Sequence, residues 1–485
     1  MKNITITRKQ LIVEVLAGLV VALALIPEAI SFSILAGVDP KVGLFASFTM
    51  AVTISITGGR KAMISAATGA IALVIAPLVK EQGVNFLFAA VILGGVLQII
   101  FASLGVVKLM RFIPRSVMVG FVNSLAVLIF SAQLPHLIGK SISVWVLMLV
   151  GLAIIFLAPR VISSVPAPLI AIVVLTFTTN FFGMDLPTVG DEGKLPTGLP
   201  LLGIPSVPMN METFGIIFPY AIGIALVGLI ESLLTAKLVD DITDTRSDKT
   251  RESIGQGIAN VVTGFFGGMG GCAMIGQTMI NVKSSGARTR ISTFLAGAFL
   301  LTLVLAAGPL ISAIPMASLV AVMIMVSYLT FDWHSISPVT LRRMPKSETF
   351  VMLITVAVVV LTHNLAYGVI AGVFVEAVLF ARRVAHVVQV TGTYVESEKV
   401  MHYKVTGELF FASSNDLYYL FDYNVPASII QIDFSEAHVW DGSSVAALDS
   451  IIHKYELHGK RVEITGMNQM SQEIHEKLSG GFPAS

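Results

Sequence analysis

Charge is what this sequence has least of. Only 13% of its 485 residues are Asp, Glu, Lys or Arg, against 55% hydrophobic, and the mean hydropathy is +0.85. Soluble domains carry about 25% charged residues, so a soluble globular architecture is excluded for most of the chain. Acids and bases nearly cancel, and a formal net charge of +1 excludes nucleic-acid or other polyanion binding driven by bulk charge. Cysteine occurs once, at Cys272, which excludes a disulfide framework and a cysteine metal cluster. A cleavable leader is not expected either. Met1 to Lys9 is short and basic, and the apolar run after it leads to more apolar runs, not to a cleavage site; the first span is expected to be retained.

What the sequence has in quantity is long apolar runs. The first covers about Leu11 to Ile26; Pro27-Glu28 is expected to break it, and Ala29 to Val38 continues to the turn Asp39-Pro40. Val42–Ile56 follows, then a short small-residue segment, Ile64–Val79, and then Phe86–Val107, Val117–Leu137, Val144–Leu157 and Pro168–Phe182. A Pro/Gly-rich loop occupies Gly183 to Asn210. The pattern then restarts with Phe214–Thr235, Ser253–Phe266, a glycine-rich segment, Phe294–Ile314, Ser318–Leu329, Thr349–Thr362 and Leu365–Phe380. This reads as about fourteen segments, seven on each side of the loop. With the N-terminus inside, the inner turns hold Arg60 and Lys61; Lys108, Arg111 and Arg115; Arg160; Lys249 and Arg251; Lys283, Arg288 and Arg290; Arg342, Arg343 and Lys346; and Arg382 and Arg383. The outer loops hold chiefly Lys80 and Lys194, which is the positive-inside pattern. An odd number of spans per half inverts the second half relative to the first, with repeats at about 10–182 and 212–385.

The third segment of each half is the weak one. Between Gly264 and Gly276 the chain places six glycines, and each interior Gly costs a helix about 1 kcal/mol relative to Ala. Non-helical backbone at membrane depth persists only where protein buries it or a cavity lines it. The expectation is an extended piece to about Gly271 and a half-helix from about Cys272 to Asn281, matched by Ile64–Val79 in the first half. Paired interrupted segments at matching positions point to a transporter's site. Two opposed half-helix tips, each carrying roughly +0.5 charge, would hold a small anion without covalent chemistry, and an enzyme is not indicated. The competing reading is a glycine-rich helix-packing face.

From about Val390 the composition becomes ordinary. Strands at Tyr403–Phe411, Ser428–Phe434 and Arg461–Ile464 alternate with helices at Ser413–Phe421, Ser443–Tyr455 and Gln472–Leu478, a small α/β domain. The domain division is 1–388 and 389–485. His402, His438, His453, His458 and His475 are scattered and read as surface or core histidines.

Ile26-Pro27-Glu28-Ala29, Ala36-Gly37-Val38-Asp39-Pro40, Gly43-Leu44-Phe45-Ala46-Ser47, Ile230-Glu231-Ser232-Leu233-Leu234-Thr235, Gly255-Gln256-Gly257-Ile258-Ala259-Asn260 and Asn281-Val282-Lys283-Ser284 with Arg288 together resemble the sulfate permease (SulP) family of anion transporters. The tail, through Asp433-Phe434-Ser435 and Trp440-Asp441-Gly442-Ser443-Ser444, resembles the STAS domain. The resemblance implies seven-plus-seven inverted repeats, a mobile core against a gate, a homodimer, and a substrate held between the third and tenth segments. It also places the protein in the cell membrane, multi-pass, with the N-terminus and STAS domain cytoplasmic. Three departures stand out. Many family members carry Pro near Ala66-Ala67 and a basic residue near Gln277, and the phosphorylatable serine of soluble STAS proteins would fall at Gly442. Loss of the basic residue favours a monovalent anion such as bicarbonate over sulfate.

The residue expectations follow. Glu231 lies within an apolar span, where a carboxylate costs about 2.5–3.5 kcal/mol and marks an ion path by default. It is expected to couple transport to a cation, by taking a proton or by ligating Na+ with Thr235; the alternative is a carboxylate capping a neighbouring half-helix. Na+ is the one ion implied, and no other cofactor or metal is. Glu28 and Phe32 are placed near the cavity. Ser65 and Thr68 would supply hydroxyl donors beside Ala66 and Ala67, and Gly271, Cys272, Ala273 and Met274 would bind through backbone N–H groups. Asp240, Asp241, Asp244 and Asp248 read as a solvated acidic turn, and Lys283, Arg288 and Arg290 could draw anions to an inner vestibule. The favoured function is cation-coupled transport of a small inorganic anion, of the bicarbonate or sulfate class, by an elevator-like movement. The alternatives are a nucleobase:cation symporter of the same fold, a passive anion channel, and a membrane sensor signalling through the tail.

Overall fold

The computed structural model of the protein describes residues 7–105, 113–161, 165–385 and 388–479. Lys108, Arg111 and the first six residues lie outside the described residues. The chain divides into two compact units, Met1–Val373 and Phe374–Ser485.

Helix α1 (Arg8–Ala36) starts at a capping box, with the Thr7 hydroxyl accepting from the Gln10 N–H and the Gln10 side chain reaching back. It stops at Gly37, whose φ of 75° is the left-handed conformation that glycine adopts without penalty. Pro27 does not break it: the helix is continuous through that residue. A proline removes one intrahelical hydrogen bond, and packed neighbours can carry that loss in a membrane. The first half continues with α2 (Pro40–Thr57), β1 (Ser65–Ala66), α3 (Gly69–Gln82), α4 (Val84–Ser103), α5 (Arg115–Gln133), α6 (Ile142–Leu157) and α7 (Ala167–Phe181). The second has α8 (Met211–Thr243), α9 (Lys249–Phe265), β2 (Cys272–Ala273), α10 (Ile275–Met279), α11 (Arg290–Ala306), α12 (Gly308–Ser312), α13 (Met316–Thr330), α14 (Pro338–Arg343), α15 (Lys346–Thr362) and α16 (Leu365–Ala385). By length and composition, seven helical stretches among the described residues suffice to cross a membrane, and Ala167–Phe181, Arg290–Ala306 and Met316–Thr330 are shorter apolar helices.

The packing is reciprocal between the halves. Helix α4 lies on α8 and α9, and α11 lies on α1 and α2, as two interlocked inverted copies require. Small residues make this possible. A Cβ added at Gly95 would sit 2.5 Å from the Gly257 carbonyl oxygen, and one at Gly257 equally close to that of Gly95. A second group forms where α5 packs on α13 and α15, and α6 on α13 and α7.

Buried polar side chains tie the first group together. On α9, Glu252, Gln256, Asn260 and Thr263 recur at helical spacing and are all fully buried. Glu252 accepts from the N–H groups of Gly59 and Arg60 at 2.7 and 2.8 Å, and Thr263 meets Thr49 of α2 at 2.7 Å. Glu14 of α1 accepts from the N–H groups of Arg288, Thr289 and Ser292 at 2.7, 2.9 and 3.2 Å, capping α11 from another helix. The acidic turn after α8 is less solvated than expected. Asp240 is paired with Arg60 at 3.1 Å and Lys249 at 2.7 Å, and Asp248 caps α9 through the Arg251 N–H, while Asp241 and Asp244 are exposed. Arg288 and Arg290 are also engaged: Arg288 donates to the carbonyls of Val282 and Ala287, Arg290 to those of Ser55 and Gly58. They hold these turns in place, because a buried backbone carbonyl needs a donor.

The second unit contains a four-stranded sheet, β3 (Gln389–Val395), β4 (Val400–Leu409), β5 (Ile429–Val439) and β6 (Arg461–Thr465), in that order. Strand β3 is antiparallel to β4 and the rest are parallel. Helices α17 (Phe411–Leu417), α18 (Gly442–Leu457) and α19 (Gln469–Leu478) complete it. Phe434, Ile430, Ile432, Val445, Leu448, Ile451 and Tyr455 fill the core. The sequence reading missed β3, whose residues are all exposed or half-buried and whose core-facing side, Val390 and Tyr394, is interrupted by Gly392. Burial pushes the Tyr455 hydroxyl above its ordinary pKa, and its O–H donates to the Asp422 carbonyl at 3.0 Å.

Candidate functional site

The two glycine- and alanine-rich segments cross as extended chain. Ser65 pairs with Ala273 and Ala66 with Cys272, antiparallel. Gly271 permits the approach, since a Cβ there would lie 2.0 Å from the Ala66 carbonyl oxygen. This corrects the expected half-helix from Cys272. Residues 272 and 273 are strand, α10 begins at Ile275, and the turn widens to a π-helix over Ile280–Ser284. In the first half the helix begins at Gly69 and runs to Gln82. The reason is pairing: extended backbone from each segment satisfies the other, so neither needs to coil until past the crossing.

Next to the crossing lies a cavity of about 660 Å³. The first helix group contributes Glu28 and Phe32 from α1, Thr68, Gly69 and Ala70 from the start of α3, Glu231 from α8, and Ala273 to Gln277 from the second segment. The second group contributes an apolar wall that includes Phe121, Leu125, Ile155, Phe156 and Met325. Among the described residues, two carboxylates line this cavity and no Lys, Arg or His does.

Each carboxylate has one side-chain donor. Gln277 Nε2 donates to Glu28 Oε1 at 2.8 Å, and the Cys272 thiol donates to Glu231 Oε2 at 2.5 Å. Cys272 Sγ also meets the Thr68 hydroxyl at 3.1 Å. Thr68 caps α3 by accepting from the Ile71 N–H. Gly69 and Ala70, at the start of α3, line the cavity, and the first N–H groups of a helix have no acceptor within it.

Of the expected residues, Glu28, Phe32, Thr68, Glu231, Ala273 and Met274 line the cavity. Ser65, Ala66, Ala67, Gly271 and Cys272 are fully buried behind it. Ser65 does not reach the cavity: it is fully buried behind it, and its hydroxyl oxygen accepts from Gln256 Nε2 at 2.5 Å. Nor are the backbone N–H groups free. Gly271 donates to Asn260 Oδ1, Ala273 to Ser232 Oγ, Met274 to the Ile64 carbonyl and Ala67 to Ser47 Oγ. Thr235 does not join the Glu231 carboxylate; it is fully buried, and its hydroxyl donates to the Glu231 backbone carbonyl one turn back at 2.7 Å.

The sequence reading passed over Gln277 as a site residue and assigned Gln256 and Asn260 no role. For Gln256 and Asn260 a signal was present: polar side chains at four-residue spacing on one face of a helix packed between apolar segments need buried partners.

Interleaved helical repeats whose broken segments cross beside a cavity define a polytopic membrane protein of the transporter class. The chain matches the sulfate permease family over residues 11–145 and 140–355, and the STAS domain over 393–479. "Putative sulfate transporter YbaR" of Bacillus subtilis is 51% identical over 466 residues, 96% of each chain. "Bicarbonate transporter BicA" of Picosynechococcus sp. is 29% identical over 427 residues, 80% of this chain and 72% of that one. Among solved structures, the transmembrane domain of a cyanobacterial bicarbonate transporter BicA aligns with a TM-score of 0.66 at 26% identity, covering 76% of this chain and 98% of that one. SLC26A9 aligns with a TM-score of 0.82 at 16% identity over 97% of this chain and 86% of that one, a likeness of fold. The protein belongs to the sulfate permease family, a family of anion transporters, and carries a STAS domain.

Proposed function

We propose that the protein is a secondary active transporter that moves a small inorganic anion, of the bicarbonate or sulfate class, together with Na+ or H+. The carrying observation is a cavity between two helix groups that, among the described residues, holds two carboxylates and no basic side chain. Two unit charges about 4 Å apart interact by roughly 4 kcal/mol at an effective dielectric of 20. An anion entering beside ionised Glu28 and Glu231 is therefore repelled until a cation neutralises them. Once they are neutralised, the start of α3 supplies the attraction. Binding of the anion thus depends on the cation, which is coupling. The repulsion grows with anion charge and favours a monovalent anion such as bicarbonate. Relatives whose names give bicarbonate or sulfate as the substrate support the class.

The cycle is elevator-like: the group built from α1–α4 and α8–α11 slides against the wall formed by α5–α7 and α13. The protein works as a homodimer in the cell membrane, with the N-terminus and STAS domain on the cytoplasmic face, as the basic turns favour. A passive channel would leave both half-buried carboxylates without a role, and a nucleobase carrier would want side chains that read a base edge.

Uptake of labelled bicarbonate, sulfate and fumarate into proteoliposomes, with and without Na+ and pH gradients, tests this. Accumulation of bicarbonate or sulfate driven by one cation gradient is expected. Uptake indifferent to both gradients would make the protein a channel.

A further inference from the structure

Asn260 does not touch the cavity, yet it controls the chain that does. Its carboxamide makes two hydrogen bonds to a single residue: the Gly271 N–H donates to Oδ1 at 2.9 Å, and Nδ2 donates to the Gly271 carbonyl at 3.1 Å. Gln98 of α4 holds the amide from the other side, with Oε1 accepting from Nδ2 at 2.9 Å. Donor and acceptor ends of the side chain are thereby assigned by their partners. Both amides are fully buried. The held backbone has no slack either, because Gly270 has a φ of 76° and Gly271 presses on Ala66. Two residues on, Ala273 and Met274 enter the cavity wall, and between them and the clamp Cys272 donates to Glu231.

We propose that Asn260 is a positioning residue for the anion site. It fixes the depth at which β2 presents Ala273 and Met274 and aims the Cys272 thiol at the Glu231 carboxylate. It therefore sets anion affinity without touching the anion, an inference that rests on the transport reading above. An apolar residue of similar size would fill the space but leave the Gly271 peptide unpartnered on both sides, and the strand would seek other donors and acceptors.

The test uses the full chain in proteoliposomes, with radiolabelled bicarbonate and sulfate as probes. Asn260→Ala is expected to raise KM about tenfold while the maximal rate per folded protein stays within about threefold, the signature of lost binding without lost turnover. Gln98→Leu removes only the outer support and is expected to raise KM by roughly two- to threefold. A second readout is independent of transport. Cys272 is the chain's only cysteine and is fully buried, so its rate of reaction with N-ethylmaleimide reports how firmly β2 is held. Asn260→Ala is expected to label about tenfold faster than wild type, as a local opening of about 1.4 kcal/mol would give. An unchanged KM, a fall in maximal rate alone, or a wild-type labelling rate overturns the proposal. If wild type takes up neither anion, the transport reading fails and labelling alone decides whether Asn260 holds the strand. If Asn260→Ala does not fold, Gln98→Leu decides by the same two readouts.

Discussion

Gln277 of α10 and Glu28 of α1 join the two sides of the first helix group through one hydrogen bond, Nε2 to Oε1 at 2.8 Å, at the edge of the cavity. The residues are 249 positions apart, so this contact exists only when both halves are in place. A hydrogen bond to a charged group is worth about 1.5–3 kcal/mol. Gln277→Leu is expected to raise the KM for anion uptake by about tenfold or more, since 1.4 kcal/mol is a factor of ten. Uptake kinetics in proteoliposomes check this, and a wild-type KM counts against a role for the pair.

Glu231 and Cys272 make the second such pair. Glu231→Gln is expected to transport without dependence on the driving cation, or not at all; a variant that keeps full dependence removes Glu231 from the coupling scheme. Cys272→Ser retains a donor and is expected to stay near wild type. Cys272→Ala removes a donor that favours the ionised carboxylate and is expected to tighten apparent H+ affinity by about tenfold. Flux measured against cation concentration separates them.

Glu14 holds three backbone N–H groups at the start of α11 while itself buried to 2% exposure. Loss of an N-cap costs about 0.5–2 kcal/mol, and a buried cap with three donors belongs at the upper end. Glu14→Ala is expected to lower the midpoint of thermal unfolding in detergent clearly. Glu14→Gln, which keeps the oxygen that serves Arg288 and Thr289, is expected to lower it less.

Gly271→Ala is the sharpest steric test. The new methyl would lie 2.0 Å from backbone, not from a flexible side chain, and overpacking costs typically about 1–3 kcal/mol. The crossing strands must separate, so uptake is expected to be lost while the protein still inserts and purifies. Wild-type uptake by this variant would mean that β1 and β2 are not in contact.

In the STAS domain, Asp441 accepts from the Ser444 N–H at 3.0 Å and the Phe411 N–H at 2.7 Å. Asp441→Ala is expected to cost about 1–2 kcal/mol and to speed hydrogen exchange in peptides covering 442–457 of the full-length protein. Exchange unchanged there would show the cap to be unimportant.

By itself the sequence determined the membrane class, the α/β tail, the two interrupted segments and the acids within apolar spans. Each of these is a local quantity: hydropathy over a window, glycine count over a dozen residues, a carboxylate flanked by leucines. Glu28 and Glu231 were findable because an acid in an apolar run is visible without its neighbours, and Thr68 and Met274 because they lie in the two interrupted segments. Only the tertiary structure decided which amides are spoken for and where α10 begins. Met274 N–H finds Ile64, Ser65 finds Gln256 191 positions away, and Ala273 finds Ser232. A backbone N–H carries no mark of its acceptor, and in a fold built from interleaved halves that acceptor often lies in the other half of the chain.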